Sequence, residues 1–384
     1  MNLINFEYRK IWSTSKIRFL IGLVLLSLLL FFCYCLPKEQ AELQALVNTY
    51  GASANLTTKD LENLSLVDWQ KVLSEENRQL ENYVKIMPAI IQNGPLKKDT
   101  SPGYTYYKKS RNHFLIDHNM KPISERYGTT GSHFSTTILM LLASSIGLVA
   151  ILILFGDSLT KAIENSSVQL TLTQPISRKR YLLSLYALTW FQAVVFSLFL
   201  ILVAFLLGSS ISGVGQFNYP IIVSDRGDVS LIPLWQYMRT IFIIWIFVIG
   251  FILALHFLLS ILLKKSSITL LGTLWLMTIG GIFSSQRLPF LMTRAHLNPF
   301  SYLNVGSVFA HVDWQVPQKL TLTATTQSAT ITKINDSYYS NLSLARYLQN
   351  PDMTVPNAIL CLSIGIAMLL TLTHYLFSRK ISLN

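Results

Sequence analysis

What this 384-residue chain lacks narrows its class before any motif does. Only 13% of its residues are charged, where an average soluble domain carries about 25%, and 51% are hydrophobic. Its three cysteines, Cys33, Cys35 and Cys361, exclude a disulfide framework, and their spacing fits no zinc site. No Gly-Lys pair occurs anywhere, so the chain has no P-loop with which to cradle nucleotide phosphates. The clustered carboxylates, histidines and nucleophiles that a membrane-embedded enzyme requires are missing, and no catalytic residue is expected. His311-Val312-Asp313 supplies two metal ligands without a third, so no metal site is expected either. The apolar runs contain no Asp, Glu or Lys of the kind that drives ion-coupled carriers, and the two halves show no repeat.

What is present is a set of long apolar blocks. A hydrocarbon core about 30 Å thick needs about 20 apolar residues in helical form. Six stretches meet or approach that length: Ile17–Leu36, Thr136–Phe155, Tyr181–Leu207, Thr240–Leu263, Ile268–Phe283 and Asn357–Phe377. Unbroken runs of this length specify helices, since barrel strands would alternate in polarity over about 10 residues. The expected fold is an all-α integral membrane protein with six spans. The first run is too long for a signal-peptide core, and the Cys33–Pro37 region offers no small-residue cleavage site, so it reads as an uncleaved span. The fifth is short and ends at Gly280-Gly281, where a re-entrant piece can begin.

The net charge of +12 would suit nucleic acid if it were spread over one surface. It is instead concentrated in short connectors and termini. Arg9, Lys10, Lys16, Arg18, Lys161, Arg178, Lys179, Arg180, Lys264, Lys265, Arg379 and Lys380 face only Glu7, Asp157 and Glu164 on one side of the predicted membrane. The positive-inside tendency then puts both termini in the cytoplasm. The charge reports topology and contact with anionic lipid, and nucleic acid is not an expected partner.

Two long segments fall outside. Residues 37–133 have a front half with apolar residues at helical spacing, Thr57 or Thr58 as an N-cap, and a loop-rich aromatic back half. Residues 284–355 include Leu320–Thr325 and Ala329–Ile334, which alternate as in a short β-hairpin. Residues 1–16 form an amphipathic interfacial helix, with Leu3, Ile4, Phe6, Ile11 and Trp12 on its lipid side.

The most informative stretch is the connector 156–180. Asp157 or Ser158 caps a short helix whose apolar side is Leu159, Ala162 and Ile163, with Glu164 at its end. Leu170 belongs to a second apolar piece that Pro175 stops, and Arg178-Lys179-Arg180 anchors the next span. A solvated connector would have the same composition; a docking loop would use the apolar face.

The acidic residue after the second span, the short helix and Leu170-Thr-Leu-Thr-Gln-Pro-Ile-Ser-Arg178 together resemble the coupling-helix region of ABC-2 type permeases, the membrane subunits of type V ABC exporters. The interfacial first helix, the six-span count and Leu297-Asn-Pro-Phe300 before the last span are similar as well. The resemblance implies that Asp157–Gln174 receives the stroke of a separate ABC ATPase subunit, which holds ATP and Mg, while this chain holds no cofactor. Asp157, Leu159, Ile163, Glu164, Leu170, Pro175 and Arg178 are the expected coupling residues. It further implies a dimer with an identical or related permease subunit in the bacterial cell membrane, and short re-entrant helices over Gly280–Tyr302. Such a complex would export an amphipathic cargo, a bacteriocin, toxin or antimicrobial peptide among the candidates. The large first external segment departs from simpler members. It leaves a sensor or assembly factor with a ligand-binding ectodomain as the alternative.

Overall fold

The computed structural model describes residues 15–56, 63–93, 103–124, 126–168, 177–225, 228–285, 289–311, 344–348 and 350–380. Among them, six helices are long and apolar enough to cross a membrane. The Thr57/Thr58 cap, the hairpin expected over 320–334 and all but the last two residues of the interfacial helix expected over 1–16 lie outside the described residues.

The first span helix, α1, covers Ser15–Tyr50. At about 1.5 Å per residue it is roughly 54 Å long, well beyond the hydrocarbon thickness. The apolar run ends at Leu36, but the helix continues past Pro37 for another three turns or so and emerges as part of a polar cap. Helices α2 (Trp69–Asn93) and α3 (Gly103–Asp117) complete the cap with an antiparallel hairpin of β1 (Pro220–Asp225) and β2 (Asp228–Pro233). A third, two-residue strand, β3 (Ala310–His311), pairs with β1 at Val223 and Ser224.

Two of these elements differ from the sequence reading. Gly103 opens a helix where a loop-rich stretch is expected, because the polar residues that follow have partners on α2. Lys108 and Asn112 both reach Glu76 there, while Leu115 is buried beneath them. The hairpin lies between the third and fourth spans, in a stretch for which the sequence reading gives no strand.

The second span is broken rather than continuous over 136–155. Helix α4 (Gly131–Leu142) ends at Ala143-Ser144, α5 (Ser145–Ile151) restarts, and a π-helical turn follows at Leu152–Gly156. A break in an apolar environment must satisfy the carbonyls it frees. The indole Nε1 of Trp245 donates to Leu142 O at 3.0 Å, and Ser144 Oγ donates to Leu141 O at 2.6 Å. A short helix, α6 (Ser158–Glu164), then leads to the third span, α7 (Arg178–Ser212).

The fourth span, α8 (Leu234–Leu263), is the hub. Of its most apolar window 78% is buried, against 11% in the last span. Trp245, Tyr237 and Phe257 on it are fully enclosed. The other spans keep one apolar face outward, as at Leu23 and Leu26, Phe191 and Val195, Leu271 and Trp275, and Leu360 and Ile364. Such faces suit lipid contact, and the fold is that of a multi-pass membrane protein.

The fifth span, α9 (Ser266–Ser285), runs through Gly280-Gly281 without ending there. Beyond it come α10 (Pro289–Arg294) and two 3-10 turns, Ala295–Leu297 and Pro299–Tyr302. Short elements α11 (Val305–Val308) and α12 (Leu344–Tyr347) precede the sixth span, α13 (Val355–Lys380).

Candidate coupling site

One end of the bundle carries Lys161, Arg178, Lys179, Arg180, Lys264, Lys265, Arg379 and Lys380; the cap forms the other. At the basic end the chain leaves the π-helical turn directly into α6. Residue 157 therefore has helical backbone angles, φ −66° and ψ −5°, and its side chain makes no capping hydrogen bond. A side-chain cap needs the extended backbone that a loop would provide. The carboxylate of Asp157 is turned elsewhere: it accepts from Ser266 Oγ at 2.5 Å and pairs with Lys161 Nζ at 3.0 Å.

Three polar contacts fasten α6, one to each of three spans. Ser266, the first residue of the fifth span, holds Asp157. Thr189 on the third span already donates to Leu185 O, so its oxygen receives the hydroxyl of Ser158 at 2.9 Å. Ser260 on the fourth span likewise donates to His256 O and receives Thr160 at 2.7 Å. Both hydroxyl donors of α6 thus point inward from the helix. Between them Leu159 and Ala162 are buried and Ile163 is partly so. A displacement of α6 acts on three spans at once.

Of the coupling residues expected from sequence, Asp157, Leu159, Ile163 and Glu164 come together on this helix, with Glu164 exposed at its tip. Leu170 and Pro175 lie outside the described residues. Arg178 is placed differently: its Nη1 donates to Ser378 O at 2.9 Å, neutralising a carbonyl at the end of the sixth span. Ser177 caps the third span by accepting from Arg180 N–H, and Tyr181 stacks on Phe377 at 6.3 Å. That corner ties the third span to the sixth.

Sequence reasoning missed the hydroxyl partners Ser158, Thr160, Thr189, Ser260 and Ser266. The signal available was a run of Ser and Thr in otherwise apolar helices, all close to one membrane face. His256 is fully buried and lies 2.9 Å from Thr273 Oγ1 on the fifth span. Gly156 packs against its ring, where a Cβ would stand only 3.2 Å from Nε2.

At the cap end, Leu297-Asn-Pro-Phe300 makes a wedge. Asn298 accepts from Phe300 N–H, and Pro299 sets the following turn. The Phe300 ring lies edge-on to Phe251 of the fourth span, 5.4 Å between centroids. It also fills the space where a side chain on Gly280 of the fifth span would be. No group of three or more metal-ligating side chains exists among the described residues.

These features define a class: a six-span membrane protein whose basic end presents one short helix braced on three spans, with no P-loop in the chain to power it. Residues 10–380 match the model of the ABC-2 family transporter proteins, and the chain belongs to that family. It is thus the permease component of an ABC transporter, a class that works with an ABC ATPase. The chain matches no curated protein and no solved structure.

Proposed function

We propose that this chain is the membrane subunit of an ATP-driven exporter, coupled to its ATPase through α6. The carrying observation is that Ser158, Thr160 and Asp157 bind this helix to the third, fourth and fifth spans, while Glu164 and Lys161 stay exposed. ATP and Mg sit on the partner ATPase, whose closure displaces α6. Glu164 and Lys161 present the receiving surface, and Asp157, Leu159 and Ile163 pass its movement to the spans behind. Arg178 anchors the far end of the connector, and Leu170 and Pro175 are further coupling residues of the same connector. The asymmetry of charge supports a cytoplasmic position for this end and for both termini in a bacterial cell membrane, with the cap outside.

A second permease subunit, identical or related, would cover part of the outward apolar faces; lipid would cover the rest. The cargo is amphipathic, and a bacteriocin, toxin or antimicrobial peptide fits the export reading. Purification from native membrane tests the core of the proposal. A P-loop subunit should copurify, and its ATP hydrolysis in lipid vesicles should change when Glu164 and Lys161 are both replaced by alanine. Copurification lost on removal of residues 158–164 supports docking there; an ATPase bound equally well without them overturns it.

A further inference from the structure

His256 joins the second span to the fifth. On one side its ring rests on Gly156, the residue before Asp157 and α6. On the other, Nδ1 stands 2.9 Å from Thr273 Oγ1. Thr273 Oγ1 donates its own hydrogen to Thr269 O at 2.8 Å, so it has only lone pairs to offer the histidine. Nδ1 therefore carries the hydrogen, and Nε2 is the bare nitrogen facing Gly156. Nε2 has no hydrogen-bond partner and the residue is fully buried. An acceptor left unpaired in an apolar interior is costly, which is a reason to look for a role beyond packing.

The geometry supplies that role. Ser266 links Asp157 to the fifth span only at its first residue. Thr273 is seven residues farther in, about 10 Å deeper along the helix. The rigid, planar imidazole connects the root of α6 to this deeper point. The segment on its other side, Leu152–Gly156, is a π-helical turn, an irregularity that recurs at functional sites. We propose that His256 is a positioning residue: it transmits displacement of α6 through Gly156 to Thr273, and so moves the body of the fifth span. This rests on the ATPase-driven reading above.

The test uses the complex of this chain with its ATP-hydrolysing subunit in lipid vesicles, with spin-label distances measured without nucleotide and after trapping with ATP and vanadate. One label pair, Glu164 and Lys179, reports on α6; the other, Trp235 and Ile282, reports on the far end of the fifth span. In the parent, both distances should change, the second by about 2 Å or more. In H256A and in T273V the first change should persist and the second vanish, and H256N, which keeps a donor to Thr273 but is too short to rest on Gly156, should not restore it. T273V removes one hydroxyl with little change of volume, so it serves if H256A fails to assemble. An unaltered Trp235–Ile282 change in either variant overturns the proposal, as does equal loss at both pairs, which would mark a purely structural role. No change at the second pair in the parent overturns it alone. No change at either pair in the parent overturns the ATPase-driven reading with it.

Discussion

The two ends of this molecule satisfy their buried polar groups by different chemistry. The cap uses charges. Glu76 is almost wholly buried between α2 and α3, with Lys108 Nζ at 2.7 Å and Asn112 Nδ2 at 2.8 Å. The segment leading into α4 is strapped to α1 by two more carboxylates: Glu39 accepts from the backbone and hydroxyl of Thr129, and Glu42 from the hydroxyl of Ser124. The basic end uses hydroxyls, with one carboxylate near the surface. Neutral hydrogen bonds contribute about 1 kcal/mol each, whereas removing one member of a buried ion pair costs about 3–5 kcal/mol. Under the proposed coupling, the joint that moves is built from the weaker kind of contact and the brace that holds from the stronger.

The largest expected effect lies in the cap. Glu76→Ala should lower stability by about 3 kcal/mol, because it leaves Lys108 and Asn112 without their acceptor. Faster proteolysis of the cap at unchanged helix content in the spans would show the loss is local. A loss below about 1 kcal/mol would put the two ends on the same footing and break the contrast.

The cap should also weaken in acid. Burial alone would raise the Glu76 carboxyl, but the adjacent Lys108, Arg111 and Asn112 outweigh it and hold the group below the usual carboxylate range. A folded-state value below the unfolded one means the stabilisation is complete above the ordinary carboxylate value and disappears as pH falls through the lowered one. Cap unfolding followed by tryptophan fluorescence at Trp69 should therefore begin below about pH 4, and Glu76→Gln should flatten that acid limb.

At the basic end, Gly156→Ala sharpens the contrast. The new methyl group would meet the imidazole of His256 at 3.2–3.4 Å, closer than ordinary contact. A cost of about 1–2 kcal/mol is expected, and it should shrink in the Gly156→Ala/His256→Ala double variant, measured as a double-mutant cycle. Additive losses would show that the two residues do not press on each other.

The smallest effect is that of single latches. Thr160→Val and Ser158→Ala should each cost about 1 kcal/mol in thermal stability. Their effect on coupling between ATP hydrolysis and movement should be larger than that cost implies.

Much of this architecture was legible from composition and spacing. The six spans follow from apolar runs that no soluble core could accommodate. Leu159, Ala162 and Ile163 are legible as the apolar side of α6, but that side packs inward on the spans instead of facing a docking partner. Asp157 was recognised as important for the wrong local reason: its neighbours in sequence looked like a loop, so a cap was expected where the backbone is already helical. The break at Ala143-Ser144 was invisible because hydropathy does not register it, and the donor that makes it tolerable, Trp245, is 103 residues away. The same distance problem hid the latches, since Thr160 and Ser260 are 100 residues apart. The hairpin over 220–233 has β-branched residues, Ile221, Ile222, Val223 and Val229, on both sides of an Asp-Arg-Gly-Asp sequence, but it lacks a clean alternation and stands between two long apolar runs.

The central claim is that α6 at the basic end, and not the cap, meets the ATPase. A photo-crosslinking residue placed at Glu164, and separately at exposed Arg78 on α2, tests it directly in the purified complex. The account predicts a crosslink to the ATP-hydrolysing subunit from position 164 and none from position 78. A crosslink from 78 with none from 164 would contradict it, and would reverse the orientation of the whole molecule.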